Sequence, residues 1–385
     1  MPIEPTDLAE PPESNSDDSI ALALSGGGYR AMVFHVGALY RLNEVGLLGK
    51  IGRISSVSGG SITSAYLGLR WSELQFSGGQ AARFDLFVDG IRAMADTSVD
   101  VGAIFGGIFL PGTISQRLAD TYDDVLFKGA TLRQLPDDTA DTAPRFVINA
   151  TNIQSAAIWR FSRPYMGDYR VGLIRNPDVK LSVAVAASSA FPPFLSPLTL
   201  PISQPAEPVE GADLNRPPFT TNAILSDGGV YDNLGLETIK RFATVLVSDA
   251  GQKIVAEENP HHDWPRHSLR ILDTVDNQVR SLRKRQLIKS FESGERSGTY
   301  WGVRTNFDDY KLTDDPLKCA SRDPTSLAEL PTRLERMPRA VQNKLMNWGY
   351  AICDAGLRAH LGEPLQAKLG ISITAPAKFP FPGDY

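Results

Sequence analysis

"ALALSGGGYRAMVFHVGALYRLNEVGLL", residues 21–48, joins an apolar run to an amphipathic helical pattern through three consecutive glycines, Gly26, Gly27 and Gly28. The apolar run, Ile20–Leu24, is too short for a helix and reads as a buried strand. Residues 29–48 carry apolar side chains at helical spacing. Glycine at such a joint costs conformational entropy, so it answers a need for unusual dihedrals or a close backbone approach. A buried strand that runs into a helix is the unit of a parallel sheet covered by helices.

The same alternation continues outward. Ile51–Val57 reads as a second strand, followed by a helix through "GGSITSAYLGLRW", and further helices are expected at Phe84–Ala95 and 113–126. "RFVINATNI" and "AAIWRFS" read as strands, and a helix over 181–189 stops before the breaker "FPPF". Residues 196–220 are proline-rich loop. "AILSDGG" and "ATVLVSDAG" read as core strands that each end at Asp then Gly. Two helices, roughly 266–293 and 339–361, with "TYWGVRTNF" as a strand between them, fill the last third. The pattern predicts an α/β fold with a mostly parallel central sheet flanked by helices. In such sheets ligands bind beyond the C-terminal strand ends. Three polar, glycine-rich joints fall there: "SGGGYR", "SVSGGS" and "SDGGVYDN".

Charge is uneven along the 385 residues. Residues 1–18 hold six of the 44 acidic groups and no Lys or Arg, and without them the chain is close to neutral. That proline-rich acidic head is expected to be disordered. The neutral remainder gives no case for a nucleic-acid partner. Two cysteines, Cys319 and Cys353, make neither a disulfide framework nor a metal cluster, and reduced thiols in the cytoplasm are expected. No signal-peptide pattern opens the chain. The apolar run "VGAIFGGIFL", 101–110, is about half the length of a membrane span. No cofactor and no metal, calcium included, is expected, since no acidic ligand spacing is present.

Ser58 stands at the end of a β-branched strand, where a helix begins. A serine on a sharp strand-to-helix turn is exposed at the sheet edge, and its neighbours must be small for the turn to close. Gly59 and Gly60 meet that need, while Ser56 stands where the G-x-S-x-G pattern has its first glycine. Acyl transfer passes through a tetrahedral oxyanion that requires backbone N–H donors aimed at one point. Gly26, Gly27 and Gly28, on the neighbouring strand end, suit that role. Neither phosphate-cradling pattern, G-x-G-x-x-G or G-x-x-x-x-G-K-[ST], occurs at this joint.

Serine also needs a base. His35 lies with Ala38, Leu39 and Leu42 on an apolar helical stripe and reads as a core histidine. His261, His262 and His267 flank a proline-containing loop and read as solvated. Asp227 ends an apolar strand and is followed by Gly228 and Gly229, so its carboxylate is placed to take the serine proton if burial raises its pKa. Asp249, at the similar joint "SDAG", is the natural decoy.

With these pieces assembled, the chain resembles the patatin-like phospholipases, and more distantly the catalytic domain of cytosolic phospholipase A2. "GGGYR" (26–30), "SVSGG" (56–60) and "DGG" (227–229) stand in the family's order. "AMVFHVGALYRL" is similar to the helix after its glycine loop, and "SVAVAASSAFPPF" to its segment before the aspartate. The resemblance implies the three-layer patatin-like fold and a histidine-free dyad of nucleophile Ser58 and base Asp227. It further implies oxyanion amides from Gly26, Gly27 and Gly28, with Gly59 and Gly228 in support. Arg30 would brace the loop or bind the lipid phosphate. The resemblance covers roughly 19–250, the expected catalytic core, while 251–371 is expected as a mostly helical part packed on it and 372–385 as a proline-rich tail.

The expected activity is phospholipase A or lysophospholipase hydrolysis of membrane glycerophospholipids through an acyl-enzyme. The expected setting is cytoplasmic, peripheral at the inner face of the membrane. A lipid-facing lip at 101–112, a small-molecule activator, and a basic helix face (Arg280, Arg283, Lys284, Arg285, Lys289) for anionic headgroups are compatible additions. On that helix Leu272, Val275, Val279 and Leu282 trace an apolar stripe opposite the cations. Two other readings fit the residues: an α/β-hydrolase-type esterase using a late histidine such as His267, and a non-catalytic lipid- or nucleotide-binding scaffold.

Overall fold

A computed structural model describes residues 19–99, 113–140, 143–193, 195–252 and 254–383. The expected disordered head, 1–18, and the apolar lip, 101–112, lie outside the described residues. The strands are β1 (Ile20–Leu24), β2 (Ile51–Val57), β3 (Phe76–Ser77), β4 (Gln80–Ala81), β5 (Arg145–Asn152), β6 (Ala157–Phe161), β7 (Tyr165–Asp168), β8 (Gly172–Arg175), β9 (Leu198–Pro201), β10 (Asn222–Asp227), β11 (Thr244–Asp249) and β12 (Ser297–Gly302). The helices that matter here are α1 (Gly28–Glu44), α2 (Gly59–Arg70), α3 (Phe84–Ala95), α4 (Thr113–Tyr122), α5 (Leu181–Ser188), α6 (Trp264–Glu292) and α7 (Arg339–His360).

Side by side, β12, β11, β1, β2 and β5 form the parallel heart of a ten-stranded sheet, and β6, β7 and β8 extend it antiparallel. Their side chains alternate between the two faces, as strand geometry requires. Leu22 and Leu24 join the larger core beneath α1, α2 and α7, whereas Ala21 and Ala23 join Val245, Val247 and Leu287 beneath α6. The result is the expected three layers.

β5 has two successive partners along one edge. Residues 145–149 pair in parallel with β2, and residues 150–152 pair antiparallel with β10. β6 occupies the other edge. β2 and β10 therefore run toward each other in one column, and their C-terminal ends meet beside Asn149 and Ala150.

α1 and α7 cross closely. A Cβ at Gly37 would overlap the Met346 carbonyl, and one at Gly349 would overlap the Phe34 carbonyl. At one end of the crossing Arg41 donates through Nη2 to buried Asp354 at 2.7 Å, and Arg358 Nε donates to the same carboxylate at 2.8 Å.

α6 departs from the sequence reading. Arg280 and Arg283 turn inward to Asp249, Asp232 and Glu237, and Lys284 stacks over the Tyr300 ring. Leu272, Val275, Val279 and Leu282 face solvent instead. Buried carboxylates at the strand ends outcompete the helix's own apolar stripe, because an unpaired buried charge costs more than an exposed aliphatic side chain.

Candidate active site

The meeting of β2 and β10 brings Ser58 and Asp227 together. Ser58 adopts φ 51° and ψ −120°, a strained conformation for a residue with a side chain. The strain throws its hydroxyl off the strand end, as a nucleophile elbow does. Its N–H donates to Ser188 Oγ at 2.9 Å, and Ser188 Oγ donates onward to the Asn149 carbonyl at 2.6 Å. Ser56, at the missing-glycine position, fits because its Oγ faces inward and accepts from Ser61 Oγ at 3.1 Å.

Asp227 is almost fully buried, and its N–H donates to the Ala190 carbonyl at 2.9 Å. Oδ1 accepts the Gly229 N–H at 2.7 Å. Burial pushes the Asp227 pKa up to about 7, while the Gly229 amide and the facing Ser58 hydroxyl pull against that rise. Asp249, at the twin joint, behaves in the opposite way. Burial raises it, but Arg280, Tyr300 Oη and the Gly251 N–H overcome that and hold it at about 2. One joint holds a carboxyl poised near neutrality, the other a locked counter-ion.

The glycine turn lies against the elbow. A Cβ at Gly59 would overlap the Gly28 carbonyl, and one at Gly26 would stand 3.2 Å from Ser58 Cβ. Gly28 has φ +58° and opens α1. The Gly26 N–H is committed to the Asn233 carbonyl at 3.1 Å, so of the three expected oxyanion donors it is already spoken for. The N–H groups of Gly27 and Gly28 have no acceptor among the described residues and sit at a helix N-terminus, where negative charge is favoured.

Arg30 is wholly buried. Nε and Nη2 donate to the Ala250 carbonyl at 3.0 and 2.9 Å, Nη1 donates to the Leu330 carbonyl, and Nη2 also reaches Thr332 Oγ1. Of its two expected roles, binding a lipid phosphate finds no exposed guanidinium surface, since its donors are spent on protein oxygens. A strap over 330–337 crosses the turn, accepting the Tyr29 N–H at the Arg333 carbonyl and the Val99 N–H at the Leu334 carbonyl.

His35 is fully buried between Ser248 Oγ at 2.8 Å and the Ser25 carbonyl at 3.0 Å. Burial lowers its pKa to about 4 against the help of the Ser25 carbonyl, so it is a neutral core residue. His261, His262 and His267 are exposed, and no histidine contributes to the environment of Asp227. Among the described residues no group of three or more His, Cys, Asp or Glu could hold a metal ion. No helix among them is long and apolar enough to cross a membrane.

Sequence reasoning missed Ser188, Asn149, Asn233 and the strap. All lie far in sequence from Ser58, although Ser188 falls within "SVAVAASSAFPPF", the segment noted for its resemblance, and Asn233 closes the joint "SDGGVYDN".

A serine at a strained turn, a buried carboxylate facing it and free amides alongside can together perform acyl transfer. Residues 22–239 match the family model described as patatin-like phospholipase. The chain belongs to that family. Human GIVD cytosolic phospholipase A2 in complex with methyl gamma-linolenyl fluorophosphonate is similar in fold, at TM-score 0.51 and 16% identity over 94% of this chain. Another structure of the same human protein gives 0.49 and 14% over 91% of this chain, and VipD from Legionella pneumophila gives 0.35 and 12% over 89% of this chain and 67% of its own. The chain spans 60% of the length of each of the first two. Comparison with curated proteins gave no match.

Proposed function

We propose that this chain is a serine acyl hydrolase of the phospholipase A or lysophospholipase type, acting on fatty-acyl esters of membrane glycerophospholipids. The observation that carries the reading is the pairing of a strained, accessible Ser58 with a buried Asp227 poised at about 7. Asp227 takes the proton from Ser58 Oγ as the oxygen attacks the ester carbonyl. The carbonyl oxygen, now negative, is received by the Gly27 and Gly28 N–H groups. Collapse of the tetrahedral adduct expels the alcohol, which takes the proton back from Asp227 and leaves an acyl-Ser58. Water, deprotonated by Asp227, then attacks the acyl-enzyme, and as the second tetrahedral adduct collapses Ser58 Oγ leaves, recovers the proton from Asp227 and releases the fatty acid.

Direct approach of serine and carboxylate, with every late histidine exposed, supports the dyad over a histidine triad. Fluorophosphonate labelling of wild type, Ser58→Ala and Asp227→Asn, with the modified residue mapped by mass spectrometry, tests it. Label on Ser58, lost in Ser58→Ala and reduced by roughly a thousandfold or more in rate in Asp227→Asn, is expected. Loss of labelling in His267→Asn, or in Asn variants of the other late histidines, would point instead to a triad of Ser58, Asp227 and that histidine. No label on folded wild type would favour the scaffold.

A further inference from the structure

The inversion of α6 leaves a feature that catalysis does not use. Trp264, Ile271, Leu272, Val275, Val279 and Leu282 form one row along the helix, with Trp264 80% exposed and the others between 40% and 59%. The spacing of three and four residues places all six on the side turned away from the sheet. A row this long on a soluble surface marks a contact rather than a random exposure. Arg285 and Lys289 are exposed beside its C-terminal half and have no ion-pair partner among the described residues.

The helix that carries the row packs beside the site. Arg283, on the inner side of the same helix, donates to Glu237 at 3.0 Å and lies over the Tyr231 ring, within the turn that follows Asp227. Asp276 is near enough for its charge to act on Asp227. Two more exposed apolar side chains border the dyad: Val230, three residues after Asp227, and Phe191, next to the Ala190 carbonyl that holds the Asp227 N–H.

We infer that the outer row of α6 is the surface by which this protein docks on an anionic lipid bilayer. The inference rests on the lipid-hydrolase reading. A helix with an apolar row, a terminal tryptophan and flanking cations lies in the headgroup plane of a bilayer, its apolar side shallowly buried. The cations meet anionic headgroups at the same depth. This corrects the sequence expectation: the inner cations belong to the core, and aliphatic side chains make the contact. The dyad then opens onto the interface from which a lipid must leave the bilayer.

Co-sedimentation of Ser58→Ala protein with phosphatidylcholine vesicles containing about 30 mol% phosphatidylglycerol separates docking from hydrolysis. Adding Leu272→Gln, Val275→Gln and Val279→Gln, which keep helix propensity, is expected to lower the partition coefficient by about tenfold or more. Val275→Trp is expected to raise it, and Arg285→Glu with Lys289→Glu to lower it on anionic vesicles only. With Ser58 intact, the triple variant should cleave p-nitrophenyl butyrate within about twofold of wild type. Unchanged partitioning of the triple variant would overturn the inference. So would a concentration-dependent dimer in analytical ultracentrifugation that the triple substitution abolishes, since the row would then be a self-interface. Loss of all esterase activity in wild type would defeat the dyad reading, while the Ser58→Ala partition data would still judge the docking surface.

Discussion

At the scale of single residues, Asp227 links chemistry to stability with opposite signs. In the proposed reaction it must be ionised to accept the serine proton, and burial lifts its pKa to about 7. On a soluble ester kcat/KM should therefore fall about tenfold per pH unit below about pH 7. Folding responds the other way. The folded pKa lies above the unfolded carboxyl value of about 3.9, so the stability from the protonated group is full below about pH 4 and lost as pH rises through 7. At pH 8 the buried carboxylate costs roughly 4 kcal/mol. Asp227→Asn should raise the melting temperature by several degrees at pH 8, with the gain closing near pH 4, as calorimetry at both values will read. Equal melting at pH 8 would mean that Asp227 is not a strained buried base. Ser58 and Asp227 were legible in the sequence because each ends an apolar strand and is followed by two glycines. Ser188 and Asn149 were not, since a serine in a helix and an asparagine in a strand look alike wherever they fall.

At the scale of elements, each motif is placed by a partner from elsewhere in the chain. β2 and β10 meet end to end only because β5 is long enough to pair with both. The strand pattern foretold β10 but not its direction, which is set by pairing and not by composition. α6 shows the same limit from the other side, since its orientation is decided by carboxylates at Asp232, Glu237 and Asp249. Arg30 ties three such elements into the glycine turn. Arg30→Ala strips donors from the Ala250 and Leu330 carbonyls, at a cost of about 2–4 kcal/mol. The turn should loosen with it. We expect kcat on a soluble ester to drop by about tenfold or more with KM little changed, because in the proposed reaction the amides act on the transition state. A change in KM alone would reassign Arg30 to substrate binding.

At the scale of the whole molecule, the helix that begins at the glycine turn is held by α7. Arg41 and Asp354 are both nearly buried, and removing Asp354 leaves Arg41 with only the half-exposed Glu44 as counter-charge. Asp354→Ala should destabilise the fold by about 3–5 kcal/mol in urea titration, and Asp354→Asn by less, since its amide oxygen still accepts from Arg41. Loss of under about 0.5 kcal/mol would show that the apolar crossing alone fastens α7. Sequence separated the chain into a core and a helical remainder because the motifs end near residue 250. The glycine crossing at Gly37 and Gly349 carries no such mark, although it joins the two. Arg41 and Asp354 are 313 residues apart, so the support for α1 and its glycine turn is among the later parts of the chain to be synthesised. Domains fold as units while the chain emerges from its N-terminus. A nascent chain that already carries Ser58 and Asp227 therefore still lacks the helix that α1 packs on, and the glycine turn at the head of α1 is backed only once α7 has been made.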